Sequence, residues 1–247
     1  MKLNIVFENS DLLVVNKPAS VLVHGIYDKY GPRHTEKTLA DYVVEQYPEV
    51  AEVGDKPSER PGVVHRLDRE TSGVIVFARN QQTFTYLKGL FSAASRGEES
   101  QITKTYTALV WGRVKELTGV IDKPISIRNG SVKRTVHDGR MTRPAITEYA
   151  VQKYFQAGKD EFTLLNASPK TGRTHQIRVH LNAINHPVYG DKLYGKKGDI
   201  FELGRQFLHA STLEFPLANG ERIVVAAEVP IELKNLLANL SPVLNLE

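Results

Sequence analysis

The sequence of 247 residues predicts an α+β fold, in which helices flank a mixed and mainly antiparallel sheet. Segments with the alternating or β-branched pattern of strands outnumber helical segments, and regular strand–helix–strand alternation is missing. No period of roughly 20–50 residues repeats, which excludes solenoids and propellers. Because no stretch resembles a linker and the length suits one large domain, we expect a single domain over residues 1–247.

The N-terminal part of the chain predicts two strands and one helix. The strands are Leu3–Phe7 and Asp11–Asn16, two apolar or β-branched runs around an Asn-Ser-Asp turn. The helix covers Thr38–Tyr47, because Thr38 is a suitable N-cap, the apolar residues that follow share one face, and Pro48 ends the helix.

The most apolar segment of the chain, Gly73–Ala78, has the pattern of a strand buried on both faces. Helical spacing follows over Asn80–Ser92. The same reasoning predicts the later elements: the strands Lys104–Trp111, Ala145–Tyr154 and Glu161–Asn166, the helix His175–Ile184, the strands Leu208–Phe215 and Arg222–Glu228, and the helix Ile231–Leu240. Two polar segments, Tyr27–Lys37 and Ser92–Gln101, are predicted to be loops.

The composition excludes several classes of protein. With no cysteine, the chain has no disulfide framework, thiolate catalysis, Fe–S cluster or Cys-ligated zinc. Its apolar stretches are too short to span a bilayer, and the first ten residues lack the features of a signal or transit peptide. We therefore expect a soluble, monomeric, cytoplasmic protein without a membrane partner.

The net charge of +4 hides an uneven distribution of charged residues. Residues 101–200 carry nine more Lys and Arg than Asp and Glu, whereas the flanking parts are neutral or acidic. A positive field of this kind attracts a polyanion such as nucleic acid. The alternative is a solvated surface whose charge is merely uneven.

The densest polar cluster occupies residues 64–73, directly before the apolar strand. Within it Asp68 lies between Arg66 and Arg69, and a nearby cation keeps an aspartate ionised and available as a nucleophile or base. The alternative is a turn in which Asp68 caps backbone amides while both arginines face solvent.

A second polar cluster occupies residues 168–180. Thr171 and Gly172 predict a turn before a helix N-terminus, whose backbone amides would form an anion site together with Arg173 and Arg178. The alternative is a basic helix that faces solvent.

The histidines do not favour a metal site. His175 and His180 are five residues apart, which separates them by roughly 140° on a helix, whereas a zinc-protease helix needs histidines four apart with an adjacent Glu. His65 and Asp68 have ligand-like spacing but no second ligand cluster to join. We therefore expect no metal.

Asp68 and Glu70 are the candidates for an alternative activity, carboxylate-dependent glycoside hydrolysis. Two residues apart on an extended segment, their side chains would share a face at a separation of roughly 7 Å, which does not exclude such a pair. The single Trp and the aromatic content of 8% provide little for a sugar-binding cleft.

Together these segments resemble the RluA-type family of RNA pseudouridine synthases. The first motif is similar to VNKP at residues 15–18 with VH at 23–24, and the catalytic signature to HRLDRETSG at residues 65–73. The K-x-Y-x-A strand matches KTYTA at residues 104–108. The late motifs resemble GRTHQIRVHL at 172–181, VYGDKLYG at 188–195 and LHA at 208–210. The nine-residue signature is specific, and the motifs occur in the family's order.

The resemblance implies a pseudouridine-synthase catalytic domain with a basic cleft, which isomerises uridine in tRNA or rRNA without a cofactor or metal. It implies that Asp68 is the catalytic aspartate and that Tyr106 stacks against the target base. It also implies that Arg178 pairs with Asp68 and keeps the carboxylate ionised and oriented.

Four further residues are expected to bind the substrate. By family analogy, Arg66 would fill the base stack from which the uridine has been flipped, and Ile177 would line the apolar wall of the pocket. His65 and Arg173 complete this expected set, because they lie in the catalytic signature and in the basic late motif respectively.

Many members of the family carry an upstream S4 RNA-binding domain, whereas here the first predicted strand begins almost at Met1. We therefore expect no S4 domain, and expect Tyr27–Lys37, Ser92–Gln101 and the basic segment Ile125–Arg143 to select the RNA. The alternative is a non-catalytic RNA-binding protein on the same scaffold, although the presence of all three predicted catalytic residues argues against it.

Overall fold

The computed structural model describes residues 1–25, 36–96, 101–131, 133–195 and 199–243, and the backbone of residues 27–28 and 31–32. The strands are β1 (Ile5–Glu8), β2 (Leu12–Lys17), β3 (Tyr27–Asp28), β4 (Gly31–Pro32), β5 (Ser72–Ala78), β6 (Thr103–Trp111), β7 (Thr118–Asp122), β8 (Ile125–Ile127), β9 (Arg134–Thr135), β10 (Arg140–Arg143), β11 (Ile146–Ala157), β12 (Asp160–Pro169), β13 (Leu208–Pro216), β14 (Arg222–Ala226) and β15 (Ser241–Val243). The α-helices are α1 (Leu39–Gln46), α2 (Gln81–Arg96), α3 (Gln176–Ala183) and α4 (Ile231–Ala238), and a 3₁₀ turn covers Pro48–Glu52.

A ten-stranded mixed sheet organises the fold and confirms the predicted α+β class. Its strand order is β1-β2-β5-β13-β6-β12-β11-β15, with β14 paired to β13 and β7 paired to β11. Among the described strands of this sheet, β5 and β13 form the parallel pair, and the other pairings are antiparallel. The parallel pair places His209 opposite Ser72 and Ala210 opposite Gly73, so the strand at residues 208–210 lies beside the end of the predicted catalytic signature.

Strand β5 is buried at all seven positions, as predicted for a strand covered on both faces. Ile75 and Phe77 pack into a core with α1, whereas Val74 and Val76 point to the other face and pack with α2. Since both faces of β5 are covered, the strand fixes the position at which the polar segment 64–71 ends.

Two predicted loops differ from the structure. Helix α2 continues to Arg96, so the segment predicted to be a loop from Ser92 begins as helix, because Phe91 and Ala94 continue its buried face. Residues 97–100 of that predicted loop lie outside the described residues. Of the predicted loop Tyr27–Lys37, β3 and β4 pair with each other, and residues 26, 29–30 and 33–35 lie outside the described residues.

The basic segment 125–143 forms a small sheet of its own, with the strand order β10-β8-β9. The strands β7 to β10 are two to five residues long, too short for a period-2 pattern to identify them in the sequence.

In the part of the chain described above, no helix combines the length and apolar character needed to cross a bilayer.

The contact between β5 and β13 predicts a large effect of adding one methyl group. Gly73 has a φ of +120°, and a Cβ there would lie 2.1 Å from the carbonyl oxygen of Ala210. We expect Gly73→Ala to lower the free energy of unfolding by about 3 kcal/mol, because both the backbone angle and the backbone contact are incompatible with a side chain. Urea denaturation measures this change.

Gly89→Ala is the matched control for this prediction. Gly89 is exposed in α2, and no atom lies within 4 Å of an added Cβ. The substitution should raise the free energy of unfolding by about 0.5–1 kcal/mol, because alanine favours the helix. Equal stability of the Gly73→Ala variant and the wild type would contradict the close approach of the two strands.

Candidate active site

Asp68 lines a cavity of about 390 Å³ at the end of the polar segment 64–71, which we call the Asp68 loop. The backbone amide of Thr71 donates to the carbonyl of Asp68 over 3.1 Å, and the chain then enters β5. The same cavity is lined by residues of the α2, β6 and α3 segments. The geometry therefore brings the two polar sequence clusters together.

Buried Lys17 is hydrogen-bonded to the Asp68 loop. Its ammonium donates to the backbone carbonyls of Pro18, Val21 and Arg69 over 2.8, 2.8 and 2.9 Å. Burial lowers the pKa of Lys17 to about 7, against the opposing effect of Glu70. Lys17 therefore ties the first sequence motif to the loop that carries Asp68.

Arg178 of α3 lies between two aspartates. Its Nη1 donates to Asp68 Oδ2 over 2.9 Å, while Nε and Nη2 donate to the two carboxylate oxygens of Asp191 over 2.7 and 2.8 Å. Burial alone would lower the pKa of Arg178, but the hydrogen bonds and charge of Asp191, with those of Asp68, hold it above its ordinary value. The cation that accompanies Asp68 is therefore Arg178, whereas Arg69, its neighbour in sequence, pairs with Glu36.

Asp191 is buried and fully engaged at the other end of this arrangement. Besides its two bonds from Arg178, Oδ1 accepts from the backbone amides of Leu193 and Tyr194 over 2.9 and 3.1 Å. Burial would raise the pKa of Asp191, but the Arg178 contacts and these amides outweigh it and hold the pKa below its ordinary value. Asp191 thus orients Arg178 toward Asp68.

His175, at the start of α3, lies close to the Asp68 carboxylate. Its φ is +58°, a left-handed conformation that is uncommon for residues other than glycine. The Nδ1 atom lies 2.9 Å from the hydroxyl of Tyr194, and Nε2 lies 3.9 Å from Asp68 Oδ1, too far for a hydrogen bond. Burial lowers the pKa of His175 despite the charge of Asp68, so the imidazole is neutral at neutral pH.

Tyr106 and Ile177 line the cavity beside Asp68. Burial, followed by the charge of Asp68, raises the pKa of Tyr106, so its phenol keeps its proton. Ile177 also packs in the core with Ala108 and Leu208. The side chain therefore forms part of the core and part of the cavity wall.

His65, Arg66 and Arg173 also line the cavity, in three different environments. The His65 ring stacks on Phe91 with 4.3 Å between centroids, its Nε2 accepts from the amide of Val76 over 3.0 Å, and burial lowers its pKa to about 3. Arg66 is exposed at the rim, and its guanidinium has no hydrogen bond or ion pair within the described residues. Arg173 Nε donates to the carbonyl of Pro144 over 2.8 Å.

The predicted anion site at the turn before α3 is wrong in two respects. Gln176 Oε1 accepts from both the Thr171 hydroxyl and the Arg173 amide, over 2.7 and 3.0 Å, so this amide is not free for a ligand. Arg178 faces the carboxylates of Asp68 and Asp191 instead of an open anion site.

The glycosidase pair is not assembled. The Glu70 carboxylate accepts from the Ser20 hydroxyl over 3.0 Å, and Glu70 does not line the cavity that holds Asp68. Within the described ranges, no group of three or more His, Asp or Glu residues is arranged to hold a metal ion.

Four residues that lie at or near Asp68 in the structure were not predicted from the sequence to be site residues. They are Lys104, His175, Asp191 and Tyr194. All four lie inside the motifs quoted above, which was the available signal. The contacts of Asp191 and Tyr194 with the first half of the site depend on tertiary structure, which local spacing does not report.

The Arg178–Asp191 pair predicts a pH-dependent loss of stability in Asp191→Asn. Because the folded-state pKa of Asp191 is depressed, its contribution is present above the unfolded-state pKa near 4 and is lost as pH falls through the folded-state value. At pH 7 we expect the variant to lose about 3 kcal/mol of unfolding free energy, since a buried cation keeps only one partner.

Urea denaturation at pH 7 and pH 3 checks this prediction. The difference between the wild type and Asp191→Asn should shrink at pH 3, which is below the unfolded-state pKa, because the unfolded wild-type chain takes up a proton there that the folded protein resists. Asp122→Asn, on the exposed side of β7, is the control and should change stability by less than about 0.5 kcal/mol at either pH. A difference that stays constant with pH would contradict the charge assignment.

Known proteins share both this sequence pattern and this fold. A family model for RNA pseudouridylate synthase matches residues 11–183. An uncharacterized RNA pseudouridine synthase of Chloroflexus aurantiacus is 40% identical over 200 residues, which cover 80% of this chain and 56% of the relative. Ribosomal large subunit pseudouridine synthase D of Vibrio cholerae is 36% identical over 244 residues, which cover 93% of this chain and 68% of the relative.

A solved structure, human RNA pseudouridylate synthase domain containing 1, has a TM-score of 0.77 and 28% identity, and the match covers 100% of this chain and 91% of the human one. The chain spans little more than half the length of the Chloroflexus aurantiacus relative. Because the family model matches most of the chain and the Vibrio cholerae relative is similar over nearly all of it, the chain belongs to the RluA-type family of RNA pseudouridylate synthases.

Proposed function

We propose that this chain isomerises uridine to pseudouridine within RNA and that Asp68 is its catalytic residue. The observation that carries the proposal is the position of the Asp68 carboxylate in a cavity, 2.9 Å from a guanidinium that a second aspartate orients. The family provides the reaction, and the cavity provides a place for one flipped nucleotide.

The proposed reaction conserves all atoms of the nucleotide. Asp68 acts on the ribose or the pyrimidine, the bond between N1 and C1′ breaks, and the uracil turns so that C5 bonds to C1′. C5 gives up a proton and N1 takes one up, so the overall change is an isomerisation without oxidation or a leaving group. Since the reaction changes neither the composition nor the oxidation state of the nucleotide, we propose that the enzyme needs no cofactor or metal.

Arg178 has two parts in this proposal. Its bond to Asp68 Oδ2 orients the carboxylate, and it leaves Oδ1 without a direct hydrogen bond among the described residues. Because Asp191 engages the other two guanidinium nitrogens, Arg178 cannot rotate away when the substrate enters.

The other cavity residues are proposed to receive the extruded base. A base inside folded RNA must leave its stack before chemistry can reach it. Tyr106 would stack against the uracil, Ile177 and His65 would form the walls, and the exposed Arg66 would fill the gap that the base leaves in the RNA. Arg173, at the same cavity, would contact the RNA backbone.

A second cavity supports an RNA-binding role for the basic small sheet. It has a volume of about 740 Å³, lies between this sheet and α3, and is lined by Arg128, Lys133, Arg134 and His137, with Asp138 as the acidic member. Tyr194 lines this cavity and also contacts His175, so the two cavities adjoin. We propose that RNA backbone phosphates bind here.

We propose RNA of the large ribosomal subunit as the substrate, because the Vibrio cholerae relative is named for that RNA. A transfer RNA is the second candidate. A cytoplasmic location and a monomeric state are further parts of this proposal.

Asp68→Asn tests the catalytic assignment. The substitution keeps the shape of the side chain but removes its charge, so tritium release from RNA labelled at C5 of uridine should fall at least 1,000-fold, roughly the loss of a residue that acts directly in the chemistry. Asp122→Asn is the matched control and should retain full activity. Unchanged release by Asp68→Asn would exclude Asp68, and no release by the wild type on any RNA would favour a non-catalytic RNA-binding protein.

Arg178→Lys tests whether Arg178 acts in turnover or in RNA binding. Lysine keeps the charge but cannot bond both aspartates through a planar fork. Losing about 1.5–3 kcal/mol of charge-assisted bonding predicts a 10- to 150-fold lower single-turnover rate with an RNA dissociation constant within about 3-fold of wild type.

Arg128→Gln is expected to show the opposite pattern. It removes one cation from the second cavity, so RNA should bind more weakly and with a smaller dependence on salt, while the single-turnover rate at saturating enzyme stays unchanged. Should Arg178→Lys weaken binding and turnover by the same factor, Arg178 would be a phosphate contact instead of a support for Asp68.

A further inference from the structure

The cavity that holds Asp68 extends to a second group of polar residues on α2 and at the start of β6. These are Lys88, Ser92 and Ser95 of α2 and Lys104 of β6, with Phe91 between them, and we call this end of the cavity the Lys104 pocket. Lys104 and Tyr106 are two residues apart on β6, so their side chains share one face at a spacing of roughly 7 Å. The pocket therefore adjoins the proposed place of the uracil.

The ammonium of Lys104 lies in this pocket without a carboxylate partner among the described residues. Its Nζ is 5.2 Å from the centroid of the Phe91 ring, and the neutral His65 ring stacks on Phe91. Lys88, in contrast, has its own partner, since its Nζ lies 2.7 Å from Asp55. Lys104 is thus a partly buried cation that pairs with no acidic side chain of the described residues and is only partly exposed to solvent.

Burial lowers the pKa of Lys104 to about 8, and no acidic group in the described part of the chain opposes this effect. A cation taken out of water is unfavourable unless an anion or several hydrogen bonds compensate it. The contact with the Phe91 ring compensates only a part of this cost. A ligand with a full negative charge would compensate the rest.

We propose that Lys104, with the hydroxyls of Ser92 and Ser95, binds a phosphodiester group of the RNA backbone next to the flipped uridine. This inference rests on the proposed function, since it names a substrate contact of the same cavity. A lysine binds phosphate as a point charge, and serine hydroxyls donate to phosphate oxygens. The Ser92 hydroxyl oxygen accepts from Arg96 over 2.7 Å, which leaves its own proton available.

A phosphate fits this pocket better than a uracil carbonyl does. The carbonyl is neutral and would leave the charge of Lys104 uncompensated, whereas each phosphodiester carries one negative charge. Lys104 and Tyr106 line the same cavity from one face of β6, so the backbone of a uracil that stacks on Tyr106 would lie near Lys104.

Lys104→Gln and Lys104→Arg test the proposal in full-length protein that also carries Asp68→Asn, so that binding is measured without turnover. With the substrate RNA, Lys104→Gln should lower the slope of log affinity against log salt by about 0.7–0.9, the value for one phosphate contact. Lys104→Arg should keep the same slope as the protein that has Lys104. Lys234→Gln, an exposed lysine on α4, is the control and should leave the slope unchanged.

The pH dependence provides a second measurement. RNA affinity should fall as pH rises through about 8 in the wild-type Lys104 background, because the phosphate binds only the protonated amine, and should fall less in Lys104→Arg. The other titratable or charged groups that face the pocket or its cavity are Asp68, His65, Arg66, Lys88, Tyr106, Arg173, His175 and Arg178. They are the same in both proteins, so the difference reports Lys104.

Substrates in which a neutral methylphosphonate replaces one phosphodiester beside the target uridine identify the partner. At one of these positions the methylphosphonate should weaken RNA binding by the protein that has Lys104. It should not weaken RNA binding by Lys104→Gln any further, as expected for two groups in direct contact. An unchanged salt slope in Lys104→Gln, or equal losses for both proteins at every flanking position, would overturn the proposal.

These outcomes separate the inference from the proposed function. Pseudouridine formation by the wild type together with an unchanged salt slope in Lys104→Gln would reject only the Lys104 contact. Wild-type protein that binds RNA but forms no pseudouridine would reject the proposed function and leave the binding measurements interpretable. Thermal melting of each variant, with Lys104→Arg as the conservative case, confirms that the compared proteins are folded.

Discussion

The guanidinium of Arg178 and its two aspartates are the interaction on which the site depends. Three hydrogen bonds of 2.7–2.9 Å join α3, the Asp68 loop and the turn that contains Asp191. Because a buried charge without its partner is strongly unfavourable, these three segments are stable only when they are assembled together. The assembly also fixes the chemistry, since one carboxylate, Asp191, is fully bonded and buried, and the other, Asp68, keeps one oxygen open to the cavity.

Three further sets of contacts hold these segments in place. Strand β5 is buried on both faces and pairs in parallel with β13, so the C-terminal end of the Asp68 loop cannot shift. Lys17 holds the same loop through three backbone carbonyls. Gln176 anchors the start of α3 to β11 through the carbonyl of Ile146 and the hydroxyl of Thr147. The geometry around Asp68 therefore depends on strand pairing and on the buried hydrogen bonds of Lys17, which does not line the cavity, and of Gln176, which does.

The parts of this arrangement that follow from local patterns were predictable from the sequence. The burial of β5, the N-cap at Thr38 and the candidate Asp68 depend on neighbouring residues, and the structure contains each of them. What local spacing cannot provide is the partner of a side chain. Asp68 has arginines on both sides in sequence, yet its cation comes from α3, and the amide expected to bind an anion is occupied by Gln176. The left-handed His175 and the cation of the Lys104 pocket depend on the packing of distant elements in the same way.

The charges of the cavity are distributed unequally, and this inequality favours an anionic substrate. At the Asp68 end, two carboxylates and one guanidinium leave a net negative charge close to the reacting atoms. A negative group near a phosphodiester raises the free energy of RNA binding, so a cationic counterpart elsewhere is needed to offset it. Lys104 in the same cavity, and the cations of the adjoining second cavity, provide positive charge outside this group. Because two aspartates already neutralise Arg178, it contributes little attraction for an anion, so in the proposed function RNA binding depends on cations other than the one that supports Asp68.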